Sequence, residues 1–195
     1  MRILLHVCCG PCAIEPFEQL TDEGHEVTGY FYNPNIHPLV EFRRRLKAAR
    51  VLQERLPIPI IYNRNYGLRR FLERVDWRGD GRCADCYRLR LGAVAQAAAE
   101  RGFDAMTTTL LGSRHQDHDA LRRIGREAAG AAGTNFLCAD WRGLSDRGHE
   151  RARGMNLYLQ NYCGCIFSEQ ERFEHTTRHL YRGPGPQAEA VTEGE

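Results

Sequence analysis

The sequence predicts an α/β protein: a three-layer, mostly parallel sheet of about five strands flanked by helices. Two observations carry this expectation. Short apolar runs of strand length alternate with longer segments whose apolar residues recur at helical spacing, the pattern of strands joined by crossover helices. Cysteine, asparagine, glycine or serine follows most of the apolar runs, as where a parallel sheet delivers its chain to the loops beyond its carboxyl ends.

The first strand is expected over 3–7. It ends in Cys8-Cys9-Gly10-Pro11-Cys12, after which Ile14, Phe17 and Leu20 space a helix up to Gly24. Pro11 suits the first helical turn, where a missing N–H costs nothing. A second strand over 27–32 leads into Asn33-Pro34-Asn35-Ile36-His37-Pro38, a loop by its prolines and asparagines, and then a basic helix over 39–56. A third strand is read at 58–62, a short helix at 68–75, a glycine-rich connection at 76–82, and a long alanine-rich helix at 83–101 closed by Gly102. The fourth strand is expected at 105–111, a helix at 118–132, the fifth strand at 136–139, and, after a loop over 140–148, a helix carrying the chain to Tyr162. Residues 1–182 form one domain on this reading, and the Gly-, Pro- and Glu-rich residues 183–195 a solvated tail.

At 195 residues, 42% apolar and 27% charged, the chain is long enough for one sizeable core. No run approaches the ~18 apolar residues of a membrane span. The amino terminus reaches a cysteine pair too soon for a signal-peptide core. A cytoplasmic location without a membrane partner is the expectation. A net charge of +2 is too small for a whole-molecule polyanion binder, so any nucleic-acid contact is expected from a local patch. Of the 27 basic residues only Lys47 is a lysine. Arginine suits phosphate and base contacts, but a bias of the whole coding sequence produces the same excess.

Eight cysteines in such a chain point to metal ligation or thiol redox chemistry rather than a disulfide framework. Seven fall in three short groups: Cys8, Cys9 and Cys12; Cys83 and Cys86; Cys163 and Cys165. Cysteines at i and i+3 of a helix start share a side, and a C-x-C in extended chain points both thiols one way. The helix N-termini behind Cys12 and Cys83 favour the thiolate, the form that binds metal. Cys138, within an apolar strand pattern, is expected in the core.

A structural zinc closes its shell with four ligands, and four thiolates also saturate an iron–sulfur cube. Seven thiols therefore suggest two metal centres, or one cluster beside a redox-active thiol pair. If the first strand stays extended through Cys8 and Cys9, their side chains point to opposite faces and serve different centres. Two rival readings come from the same residues. Cys9-Gly10-Pro11-Cys12 between a strand and a helix is the setting of a thioredoxin-like dithiol oxidoreductase. A non-catalytic zinc-stapled module is the other. The fold itself resembles that of the pyrophosphatase-loop, adenine-nucleotide-hydrolase-like domains, but cysteines and a proline occupy the phosphate-cradling turn, so ATP use is not expected.

The cysteine groups, read with Tyr32-Asn33-Pro34-Asn35-Ile36-His37-Pro38, Thr107-Thr108-Thr109-Leu110-Leu111, Asp140-Trp141-Arg142 and Tyr158-x-Gln160-x-Tyr162-Cys163-Gly164-Cys165, resemble the cobalamin-independent epoxyqueuosine reductases over about residues 3–173. The resemblance implies reductive deoxygenation of epoxyqueuosine to queuosine at the wobble position of tRNA. It implies a [4Fe-4S] cluster with a second iron nearby, held among Cys8, Cys9, Cys12, Cys83, Cys86, Cys163 and Cys165, and an external electron donor of unknown identity. Cys12 stands where some relatives carry aspartate, and is read as a ligand of the second iron, or as a resolving thiol. Proton donors are sought among Tyr32, His37, Tyr87, Asp117 and His118, of which Tyr32, Tyr87 and Asp117 are taken with Cys12 as the catalytic candidates. Asp117 also reads as a helix N-cap. Asn33, His37, Arg43, Arg44, Arg45, Arg82 and Arg142 are expected to bind the anticodon stem-loop, with a splayed base against Tyr32, Phe42 or Tyr87. Arg69, Arg70, Arg74, Arg78 and Arg82 form a second basic run leading into Cys83.

Overall fold

The computed structural model describes residues 1–176. The expected tail at 183–195 and the domain end at 182 lie outside the described residues. Five strands, β1 (Arg2–His6), β2 (Glu26–Phe31), β3 (Ile60–Tyr62), β4 (Ala105–Thr108) and β5 (Asn135–Phe136), lie in the order β3-β2-β1-β4-β5 with every pair parallel. Seven helices flank them among the described residues: α1 (Gly10–Asp22), α2 (Leu39–Arg55), α3 (Leu68–Arg74), α4 (Arg82–Glu100), α5 (His118–Ala132), α6 (Ser145–Gly154) and α7 (Ile166–Phe173). The α/β expectation holds.

The central strand explains why the sheet is covered on both faces. Ile3, Leu4 and Leu5 are wholly buried, as are His6 and Val7 after them, a continuously buried run rather than an alternating one. Each apolar side chain among them contributes about 1.5–3 kcal/mol on burial. The chain builds outward from β1 to β2 and β3, then returns to place β4 on the other side of β1. The order therefore reverses between β1 and β4, and the carboxyl ends of those two strands form the crevice where such sheets take ligands. His6 ties that crevice shut from below. Its Nε2–H donates to the Tyr32 carbonyl at 3.1 Å, which leaves Nδ1 to accept from the Thr108 hydroxyl at 2.8 Å. Burial, with the Arg90 charge adding to it, lowers its pKa to about 3 and keeps the ring neutral.

Helix α1 starts directly after Cys9 with Pro11 in its first turn. It sits so close to α2 that a Cβ on Gly10 would lie 2.8 Å from the Ala48 carbonyl oxygen, so glycine is required there.

Four expectations need correction. The fourth strand stops at Thr108 rather than Leu111, because the Thr108 side chain accepts from the Leu110 N–H and starts a 3₁₀ turn over Thr109–Gly112. The fifth strand ends at Phe136, so Cys138 is exposed rather than part of the core. The helix expected to reach Tyr162 is α6, which begins at Ser145 and stops at Gly154, followed by Asn156 at a left-handed φ of 53°. The chain from there to Cys165 is irregular, and α7, which no periodicity announced, follows it with the Cys165 sulfur accepting from the Ser168 N–H.

Candidate metal centre

The three cysteine groups assemble into two neighbouring sites. The first is the trio Cys8, Cys9 and Cys12, whose sulfurs all lie within 4.8 Å of one another. Because β1 ends at His6, Cys8 and Cys9 sit in a bend rather than in extended strand, and their sulfurs are 3.8 Å apart. They face one point, which overturns the expectation that they address opposite faces. One helical turn brings the Cys12 sulfur to 2.7 Å from that of Cys9. The 3₁₀ turn after β4 supplies Thr109, whose hydroxyl accepts from the Cys8 N–H and donates to the Cys8 sulfur, each at 3.1 Å. Gln160, from the irregular segment, donates from Nε2 to Cys9 at 3.1 Å and Cys12 at 3.4 Å.

These contacts decide where charge resides. Hydrogen bonds from Cys12 and Cys9, with the Arg90 charge and the Thr109 hydroxyl assisting, hold the Cys8 thiol well below its ordinary range. Burial pushes Cys9 up, and the bonding to Cys8 and Cys9, together with burial, pushes Cys12 up. The bend and the first turn of α1 thus bring three sulfurs close enough to share one charge, with Cys8 the thiol most inclined to ionise.

The second site is a small cleft between α4, the Asn-Pro loop and the segment before α7, into which Cys83, Cys86, Cys163 and Cys165 all open. Cys86 and Cys165 are buried, while Cys83 and Cys163 are exposed. Burial pushes the Cys86 thiol up to about 12. Gly164, at φ 129°, turns the chain between the last two cysteines, where a Cβ would lie 3.0 Å from the Arg45 guanidinium.

Two buried arginines, each 2% exposed, stand between the sites. Arg90 reaches Cys86 Sγ at 3.9 Å and donates to Asn33 Oδ1 at 3.0 Å, and its charge acts on Cys8, Cys86 and Cys163. Arg45 pairs with Glu41 at 2.6 Å and donates to the Cys163 and Tyr162 carbonyls at 2.8 and 2.9 Å. Concentrated thiols thus have fixed positive charge beside them, which favours ionised sulfur. The donor set fits iron or another thiophilic metal. Three close thiols leave a tetrahedral ion one position short, the arrangement of catalytic rather than structural sites. Four thiols set around a cleft, not all within reach of one ion, suit a cluster whose corners each take one sulfur.

The other expected residues divide. Tyr87 lines the cleft, donating its hydroxyl proton to Gln116 Oε1 at 3.0 Å and accepting the Asp117 N–H at 3.2 Å. Burial pushes its pKa up, so the phenol keeps its proton. The Asp117 carboxylate caps α5 by accepting from the Ala120 N–H at 3.0 Å. Tyr32 is buried, its hydroxyl without a partner.

Three of the expected substrate contacts lie inside the protein. Arg45 is inside the protein rather than on a phosphate-facing surface. Asn33 is buried with both amide ends engaged, Nδ2 donating to the Val7 carbonyl at 2.9 Å. His37 is wholly buried against Phe71 and Tyr66, and burial lowers its pKa to about 4. Phe42 likewise belongs to the core. Arg43 and Arg44 are exposed, as are Arg69, Arg70, Arg74 and Arg78. Arg82 is paired with Glu171 at 2.6 Å, and the Arg142 fork closes on Asp140 at 2.8 and 2.5 Å. Sequence reasoning missed Arg90 and Gln116. Arg90 had a signal, since it interrupts the apolar face of α4 one turn after Cys86.

Among the described residues no helix is long and apolar enough to cross a membrane. Residues 3–171 match the family described as epoxyqueuosine reductase QueH. Curated relatives carrying that description include one from Dehalococcoides mccartyi, 36% identical over 88% of this chain and 94% of the relative. Another, from Histophilus somni, is 35% identical over 86% and 72%, and one from Thermotoga maritima is 31% identical over 88% and 92%. With its cysteine groups gathered at the carboxyl end of a parallel sheet, the chain belongs to the epoxyqueuosine reductase QueH family.

Proposed function

We propose that this protein converts epoxyqueuosine to queuosine at the wobble position of tRNA. The reaction consumes two electrons and two protons per epoxide and releases the oxygen as water. The single observation that carries the reading is the meeting of cysteines from three distant segments in two adjacent thiol sites at the switch point of the sheet. Cys83, Cys86, Cys163 and Cys165 hold a [4Fe-4S] cluster, and Cys8, Cys9 and Cys12 a second iron. When bound, these groups supply electrons from an external carrier and a Lewis acid for the epoxide oxygen.

The chain's own residues do the rest. Arg45 and Arg90 hold the thiol-bearing segments in register and balance their charge. Thr109 and Gln160 orient the trio's sulfurs. Tyr87, kept neutral by burial and aligned by Gln116 and the Asp117 backbone, is the general acid that hands a proton from its hydroxyl to the leaving oxygen. Asp117 acts as a positioning residue through its cap. Arg43, Arg44 and the exposed arginines of the second run contact phosphates of the anticodon stem.

Anaerobically purified protein should be brown, contain iron and inorganic sulfide, and bleach on reduction; a colourless zinc protein contradicts the assignment. Cells lacking the protein should accumulate the epoxide form in tRNA by mass spectrometry, and mature queuosine there, with no second reductase present, rejects the activity. Replacing Arg43 and Arg44 with alanine should flatten the salt dependence of tRNA binding, the logarithmic slope falling by about 0.7–0.9 for each phosphate no longer neutralised. The 2.7 Å approach of Cys9 to Cys12 favours one other reading, a dithiol reductase, which predicts turnover by metal-free protein.

A further inference from the structure

Three side-chain carboxamides border the sulfurs, and they are not equivalent. Gln160 aims Nε2–H at Cys9 and Cys12, and Gln116 aims its own at Cys163, 3.7 Å away. The third, Asn35, is 1% exposed and lines the four-cysteine cleft, yet neither its Nδ2 nor its Oδ1 has a hydrogen-bond partner. Its neighbour in the same loop, Asn33, has both ends engaged, so the loop does not force such isolation. A buried amide without partners is strongly disfavoured relative to an apolar side chain of the same shape, unless an occupant of the space completes it. The other two amides show what this neighbourhood offers an N–H: sulfur.

Resting on the cluster assigned to the cleft above, we infer that Asn35 is a potential-setting residue whose Nδ2–H donates to a sulfur of the iron–sulfur group held by Cys83, Cys86, Cys163 and Cys165. A hydrogen bond to sulfur withdraws negative charge and stabilises the more negative, reduced state, so it raises the reduction potential. Sulfur offers no proton in return, and Oδ1 is left to accept from a water or a substrate hydroxyl. An aspartate of the same shape removes both N–H donors and adds negative charge.

The test compares anaerobically purified, cluster-loaded wild type with Asn35→Leu and Asn35→Asp. Three readouts are taken: iron and sulfide per chain, the midpoint potential of the visible bleaching, and pulsed electron paramagnetic resonance of the reduced cluster after exchange into D₂O. Both variants should keep wild-type iron and sulfide, shift the midpoint to more negative potential, Asn35→Asp further than Asn35→Leu, and lose one exchangeable-deuteron coupling. If Asn35→Leu fails to fold, the isosteric Asn35→Asp carries the comparison. Unchanged midpoint and deuteron coupling in fully loaded variants overturn the inference, because the amide is then satisfied by water alone. Wild-type protein without inorganic sulfide instead removes the cluster reading on which it rests, and the inference with it.

Discussion

The two thiol sites are built in opposite ways. The trio is local: Cys8, Cys9 and Cys12 span one bend and one helical turn, and their sulfurs lie within 4.8 Å of one another over that short stretch of backbone. The four-cysteine cleft is assembled from α4 and from an irregular segment held in place by Arg45, which donates to carbonyls 117 and 118 positions away. In the first site the sulfurs engage the Nε2 donor of Gln160, whose Oε1 alone is without a partner. The second keeps two exposed thiols and an unpartnered amide. The local trio should survive perturbations of the fold that dismantle the cleft, and the converse should hold for changes at the start of α1.

The sharpest break is Arg45→Met. It leaves Glu41 buried without its cation and frees the Cys163 and Tyr162 carbonyls, and it should cost about 3–5 kcal/mol in chemical denaturation. The alkylation rate of Cys163, on the segment Arg45 holds, should change more than those of the trio thiols, which feel Arg45 only through its charge and through Gln160; equal changes in both would show the sites to be one unit. Next is Gly10→Ala, which drives a Cβ into the Ala48 backbone and should cost about 1–3 kcal/mol while displacing Cys9 and Cys12. It should lower metal retention at the trio before cluster content changes.

Gly125→Ala provides the control. Its Cβ would lie 2.5 Å from the tip of the Phe136 ring, a side chain able to turn aside, so a smaller loss of about 1 kcal/mol with unaltered iron is expected. The smallest effect concerns neither site. Glu18, held below the usual carboxylate range mainly by hydrogen bonds from Arg151, stabilises the fold above its unfolded pKa, and that contribution disappears as pH falls through the folded one. Glu18→Gln should therefore reduce the loss of thermal stability between about pH 5 and pH 3.

The residues that could be read in advance share a property. The bounds of α5 follow from the Asp117 cap and from apolar spacing, both written within a few positions. The Cys9-Gly10-Pro11-Cys12 turn is likewise local. What escaped was set by partners far along the chain. Cys138 sits in an apolar run, but the sheet pairs only as far as Phe136, so the cysteine lies past the edge. Arg45 reads as part of a basic stretch, and only the fold shows that of Arg43, Arg44 and Arg45 the third turns inward. The end of α6 at Gly154 releases the chain that presents Gln160 to Cys9, 151 positions away.

Sequence alone therefore determined the α/β architecture, the family and the three thiol groups, because periodicity, turn residues and ligand spacing are short-range properties of the chain. Tertiary structure decided which thiols lie together, which of them is most inclined to ionise, and which arginines are buried beside them rather than on the surface. Those outcomes depend on distances between segments that crossover connections bring together, and on burial, which no window of sequence contains.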